Sequence, residues 1–139
     1  MSEVYSFKVK TSYRNHLVDI TPQVKEIISK SGVKDGICVV FSSHTTGGIT
    51  INENADLDVK HDILTELDKI VPLNDGYLHC EGNSAAHIKA SLMGFSQTII
   101  ISDSKPVLGI WQDIYFAEFD GPRNRTVYVK IIEGWKLLK

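Results

Sequence analysis

The last third of the chain most constrains the fold. Residues 95–101, 107–119 and 125–132 are rich in β-branched and aromatic side chains, and the turn-forming stretches Ser102-Asp-Ser-Lys-Pro106 and Asp120-Gly-Pro-Arg-Asn124 separate them. Short strands joined by short turns favour antiparallel neighbours. The N-terminus adds another strand, because Tyr5, Phe7 and Val9 alternate with Ser6, Lys8 and Lys10. Ile37-Cys-Val-Val-Phe41 is continuously apolar, which predicts a strand covered on both faces, and Ile49-Thr-Ile-Asn52 alternates again. The intervening His44-Thr-Thr-Gly-Gly48 reads as a tight connection or bulge between those two strands.

Helical spacing occurs in three places. Thr21 is placed as an N-cap before Pro22, with Val24, Ile27 and Ile28 on one stripe and Gly32 as the stop. Residues 56–71 carry Ile63, Leu64, Leu67, Ile70 and Val71 at helical intervals until Pro72 ends the run. Asn83-Ser84 is a cap signal for residues 85–93, with Gly94 behind. Three clustered helices are too few for regular βαβ alternation. The expectation is one α+β domain over residues 1–139, with a mostly antiparallel β-sandwich core and about three helices.

Charge and composition exclude several classes. The formal net charge is -2 and the sequence pI about 6.2, so no global positive field favours nucleic acid or an anionic membrane. At 42% hydrophobic residues over this length, the chain can bury a core without disulfides or a structural metal. The start lacks an apolar targeting segment and no run is long enough to span a bilayer, so a cytoplasmic location is expected. Cys38 and Cys80 stand far apart in no metal-binding spacing; Cys38 reads as a buried thiol, while Cys80 sits between His79 and Glu81.

The residues able to carry chemistry fall in three groups. His44 follows an apolar strand and precedes two threonines and two glycines, a setting for an anion or metal site or for a plain turn. His79 and His87 frame a polar loop and a helix start, with Glu81, Asn83 and Ser84 between them. Such a corner can present two imidazoles and a carboxylate beside free N–H groups that favour phosphate, or it can be ordinary capping chemistry. Glu53, between Asn52 and Asn54, is a candidate base or loop residue; Trp111, Gln112, Arg123 and Arg125 are candidate ligand contacts, or core and turn residues. His16 and His61 read as solvated.

Three ordered blocks carry a more specific likeness. They are His44-Thr-Thr-Gly-Gly-Ile-Thr-Ile-Asn-Glu-Asn-Ala55, Glu81-Gly-Asn-Ser-Ala-Ala-His-Ile-Lys-Ala-Ser-Leu-Met-Gly94 and Leu108-Gly-Ile-Trp-Gln-Asp-Ile-Tyr-Phe-Ala-Glu-Phe-Asp-Gly-Pro-Arg123. Together they resemble the YjbQ family, described as secondary thiamine-phosphate synthases, over nearly the whole chain; Gly47-Gly48 and Leu57 depart from the residues relatives often carry there. The resemblance implies a homotrimer and a shared pocket in which His44, His79 and His87 hold a divalent cation, zinc first among the candidates. It further implies Thr45, Asn52, Asn83, Trp111 and Gln112 as substrate contacts, with Glu53, Glu81 and Arg123 in the chemistry. The implied reaction joins a thiazole phosphate to a pyrimidine diphosphate with release of pyrophosphate. The alternative is a non-catalytic trimer that binds a metal or a phosphorylated metabolite.

Overall fold

The computed structural model describes residues 3–134, so the expected domain of residues 1–139 runs past them at both ends. In chain order the elements are β1 (Val4–Lys10), β2 (His16–Asp19), α1 (Thr21–Ser31), β3 (Gly36–Ser42), β4 (Gly47–Glu53), α2 (Leu57–Ile70), α3 (Ser84–Met93), β5 (Ser96–Ser102), β6 (Lys105–Pro106), β7 (Gln112–Glu118) and β8 (Asn124–Glu133). One sheet has the order β1-β8-β3-β5-β6 and the other β2-β7-β4. Every ladder is antiparallel. The α+β expectation therefore holds.

The two sheets enclose the main core. Val40, Val127, Val129 and Ile99 of the larger sheet meet Ile49, Ile114 and Phe116 of the smaller one, and Val24, Ile27 and Ile28 of α1 join the same cluster. The other face of the smaller sheet lies under the two remaining helices, where Tyr115, Ala117 and Phe119 pack with Ala86 and Ala90 of α3 and with Ile63, Leu64 and Leu67 of α2. Central β7 is thus covered on both sides, and Ile114, Tyr115, Phe116 and Ala117 are fully buried.

Strand β3 differs from expectation. Cys38 and Val40 are fully buried, but Phe41 on the opposite face is 42% exposed, because among the described residues no layer covers the outside of the larger sheet. A continuous apolar run in β3 therefore marks one core face and one open face. Gly47 and Gly48 also differ: they begin β4 rather than belonging to the connection. Their lack of a side chain serves packing, since a Cβ on Gly47 would lie 2.4 Å from Cζ of Phe116 and one on Gly48 would lie 2.4 Å from the Gly94 carbonyl oxygen.

Helix starts follow local chemistry with one shift. Asp56 caps α2 by accepting from Asp58 N–H at 2.9 Å. Thr21, expected as the cap of α1, is instead its first residue. Its hydroxyl accepts from Ile114 N–H at 2.8 Å, tying α1 to β7, while Asp19 accepts from Thr21 N–H. Gly32 ends α1 at φ 72°, a left-handed conformation that glycine adopts without a Cβ clash. No helix among the described residues is long and apolar enough to cross a membrane.

Candidate functional site

The start of α3 gathers the densest polar constellation. The rings of His79 and His87 lie 5.4 Å apart, centroid to centroid, with their planes at 85°. His79 Nδ1 is 3.1 Å from Ser84 Oγ, which leaves Nε2 facing Glu81 Oε1 at 3.8 Å. Tyr77, Leu78, Ser84 and Ile88 complete an open groove of about 490 Å³ around the two rings. Leu78 is 98% exposed, so the groove has an apolar rim that none of the described residues covers.

Asn83, at the N-cap position of α3, does not cap the helix with its side chain. Its amide instead donates to Asp120 Oδ2 at 2.9 Å, and Arg123 donates to the same carboxylate oxygen at 3.0 Å and to the Asp120 carbonyl at 2.8 Å. Burial by itself would raise the Asp120 carboxyl, but the Asn83 and Arg123 hydrogen bonds and the charges of Arg123 and Arg14 more than offset it, holding the group below the usual carboxylate range. The link fixes the β7–β8 turn to the helix start. It also leaves the outer edge of the exposed Arg123 guanidinium available to a phosphate. An inner cavity of about 260 Å³ lies against the same helix end, lined by Arg14, Asn83, Asp68 and Lys89 among others.

His44 is placed apart from that corner, between β3 and β4. Its Nε2 accepts from Thr126 N–H of β8 at 2.9 Å, and its ring stands edge-on to Phe116 at 6.3 Å. Burial, then the Arg125 charge, lowers its pKa from the ordinary imidazole value. Thr45 beside it is exposed.

Beneath this loop lies a buried ion pair that the sequence reading did not single out. Glu118 is 0% and Arg125 5% exposed. Arg125 Nε donates to Glu118 Oε1 at 2.7 Å and Nη2 donates to both Glu118 Oε2 and Thr46 Oγ1, the latter at 2.9 Å. Arg125, read as a candidate phosphate clamp or turn residue, is consumed by this pair. The signal was in the strand phase: Arg125 shares the inward period of Val127, Val129 and Ile131, and Glu118 is a lone acid inside the apolar run Ile114–Phe119.

The remaining predicted contacts sit at the other end of the β4–β7 ladder. Glu53 pairs in register with Gln112 and Asn52 with Asp113, whereas Gly47 pairs with Glu118. Six residue steps of extended strand place these ends roughly 20 Å apart. Gln112 folds back to accept from Gly109 N–H at 2.8 Å, and Trp111 is 60% exposed. Asn54 holds this end together, donating to Asp113 at 2.7 Å and Asp19 at 3.2 Å while accepting from Lys60 at 2.9 Å. The single chain thus divides the predicted site into three groups.

The donor chemistry fits a divalent cation at the α3 corner in part. Two imidazoles bound to one tetrahedral ion have centroids roughly 5 Å apart, given metal–nitrogen bonds of about 2 Å, which matches the His79–His87 spacing. Among the described residues, however, no three His, Cys, Asp or Glu side chains are grouped to hold a metal ion.

The sequence of residues 5–134 matches the family model described as UPF0047 protein YjbQ-like. The chain belongs to the YjbQ/UPF0047 family. A UPF0047 protein of Methanocaldococcus jannaschii is 60% identical over 93% of this chain and 94% of its own. The Bacillus subtilis UPF0047 protein YugU is 45% identical over 91% and 97% respectively. A crystal structure of an uncharacterized YjbQ/UPF0047 protein from Clostridium acetobutylicum, 60% identical, superposes with a TM-score of 0.91 over 92% of this chain and 99% of that one. A Sulfolobus solfataricus protein of unknown function, 35% identical, superposes with a TM-score of 0.90 over 96% of this chain and 100% of its own. The sandwich is therefore the fold of this YjbQ member.

Proposed function

We propose that this YjbQ protein is a metal-dependent enzyme acting on phosphorylated thiamine precursors, working as a homotrimer at the α3 corner. The observation that carries the reading is the His79–His87 pair, set at ion-sharing distance on a helix start beside Arg123. His79 and His87 would hold the cation, whose chemistry is to neutralise charge developing on a departing pyrophosphate. Arg123, oriented by Asp120 and Asn83, binds phosphate oxygens through its free edge, and the N-terminal amides of α3 add a partial positive charge. Glu81, beside His79, is the nearest carboxylate for proton transfer. The apolar rim of Leu78 and Ile88 suits coverage by a neighbouring copy, which would supply further ligands and bring Glu53, Trp111 and Gln112 of another chain within reach.

Metal analysis of the purified protein, paired with a thiamine-phosphate formation assay, tests this. Retained divalent metal and saturable product are expected, both lost together in His79→Ala and His87→Ala. Full metal and full activity in His87→Ala would overturn the assignment. A non-catalytic binding role is the second reading, favoured by the wide separation of Glu53 from the histidine pair within one chain; tight phosphate binding without turnover would select it.

A further inference from the structure

The His44 ring is oriented by a backbone donor. A backbone N–H can only donate, so the ring nitrogen that meets Thr126 N–H at 2.9 Å must present its lone pair. Turning the ring over would put a carbon there and lose the bond, so the nitrogen assignment is fixed by its partner. A neutral imidazole with a bare Nε2 carries its proton on Nδ1. Its only available lone pair is then taken, and ligating a metal would require His44 to leave Thr126.

Several contacts oppose that movement. Ser42 Oγ accepts from His44 N–H at 3.3 Å and donates to the Gly47 carbonyl at 2.8 Å, closing the loop across its base. Thr46 accepts from Arg125 Nη2 through its hydroxyl and from Phe119 N–H through its carbonyl at 3.2 Å. Adjacent residues of β8, Arg125 and Thr126, therefore grip both Thr46 and His44, and the buried Glu118 carboxylate fixes Arg125 in turn. Nδ1 has no hydrogen-bond partner among the described residues. In register with Thr126, Lys8 places its ammonium on the Thr126 hydroxyl at 2.8 Å, so positive charge lies beside the ring.

We propose that His44 is not a metal ligand but a neutral Nδ1–H donor, locked by the Thr126 amide, that binds an anionic oxygen of the phosphorylated ligand. The ligand class rests on the functional reading above; the locked ring does not. Long-range proton–nitrogen correlation NMR on the 15N-labelled full chain reads the tautomer directly, with the His44 signals assigned from the spectrum of His44→Gln. At neutral pH the His44 ring is expected to show a protonated Nδ1 and a bare Nε2, unchanged by saturating Zn²⁺, while inorganic phosphate shifts the Nδ1 resonances. His44→Gln, whose amide oxygen reaches toward Thr126, and His44→Asn, whose amide nitrogen approximates Nδ1, both keep the wild-type metal content. His44→Gln binds phosphate roughly tenfold more weakly, as expected for loss of one charge-assisted hydrogen bond, and His44→Asn less so. A Zn²⁺-induced shift of the His44 nitrogens to coordinated values, or loss of metal in both variants, overturns the proposal, as does an Nε2–H tautomer or an Nδ1 blind to phosphate. Failure of the wild-type protein to take up any metal would instead defeat the functional reading, and the tautomer would still be decided.

Discussion

Replacing Arg125 with methionine strands a charge that the fold has sealed from water. Glu118 accepts five hydrogen bonds, from Thr11 Oγ1 at 2.8 Å, the amides of Phe119 and Asp120 at 3.1 and 3.0 Å, and two nitrogens of the Arg125 guanidinium, Nε and Nη2. Methionine fills similar volume but removes two of the five donors and the positive charge, and it leaves the Thr46 hydroxyl without its Arg125 donor. Removing one partner of a buried pair costs about 3–5 kcal/mol, since the remaining charge keeps its desolvation penalty without its counterion. For a chain of this length that corresponds to a drop in Tm of roughly 10–20 °C. The double variant Glu118→Gln/Arg125→Met removes both charges and should recover most of the loss, leaving a coupling energy above about 1.5 kcal/mol in the cycle. Urea unfolding followed by circular dichroism, at several fixed protein concentrations because association adds to apparent stability, measures all four proteins. A loss below about 1 kcal/mol in Arg125→Met, or a double variant no better than the sum of the singles, would refute the reasoning.

Gly48→Ala sets a Cβ 2.4 Å from the Gly94 carbonyl, a backbone atom that cannot swing aside, and should cost more than about 2 kcal/mol in the same unfolding assay. Thiol labelling of the native protein should modify the exposed Cys80 quickly and spare Cys38, whose pKa burial raises to about 11; unfolding should release the second thiol. Acid should destabilise the protein in two windows, read from Tm against pH. His16 and His44, each lowered chiefly by burial and each accepting a backbone N–H, contribute stability present above about pH 6.5 and lost as pH falls below it. Asp120, held below its ordinary value, adds a second loss below about pH 4. A Tm that stays flat from pH 7 to 5 would contradict the histidine geometry.

Local chemistry made much of the architecture legible before any tertiary contact was known. The alternation of Tyr5, Phe7 and Val9 gave a strand, Pro72 the end of the residue 56–71 helical run, and Gly32 a helix stop, because each depends on residues only a few positions away. The His79–His87 pair belongs to the same class: nine residues around one helix start suffice to bring the rings together. The three sequence blocks carried the family by likeness, and residues 5–134 bear it out.

Tertiary structure alone decided what depends on partners distant in the chain. Strands β7 and β8, separated by one short turn, join different sheets instead of pairing, so turn length did not set the neighbours. The apolar run of β3 could not disclose whether a second layer covers it; that layer went to β7. Glu118 drew no separate reading and Arg125 read as a phosphate clamp or turn residue until the sheets closed over them, and the sequence around His44 left an anion site, a metal site and a plain turn open, with no sign that β8, 82 positions away, brings the Thr126 amide to its ring. Hydrogen bonds and caps within one turn are encoded where they form. The protonation and reach of His44 are set by a backbone donor that only the assembled sandwich delivers.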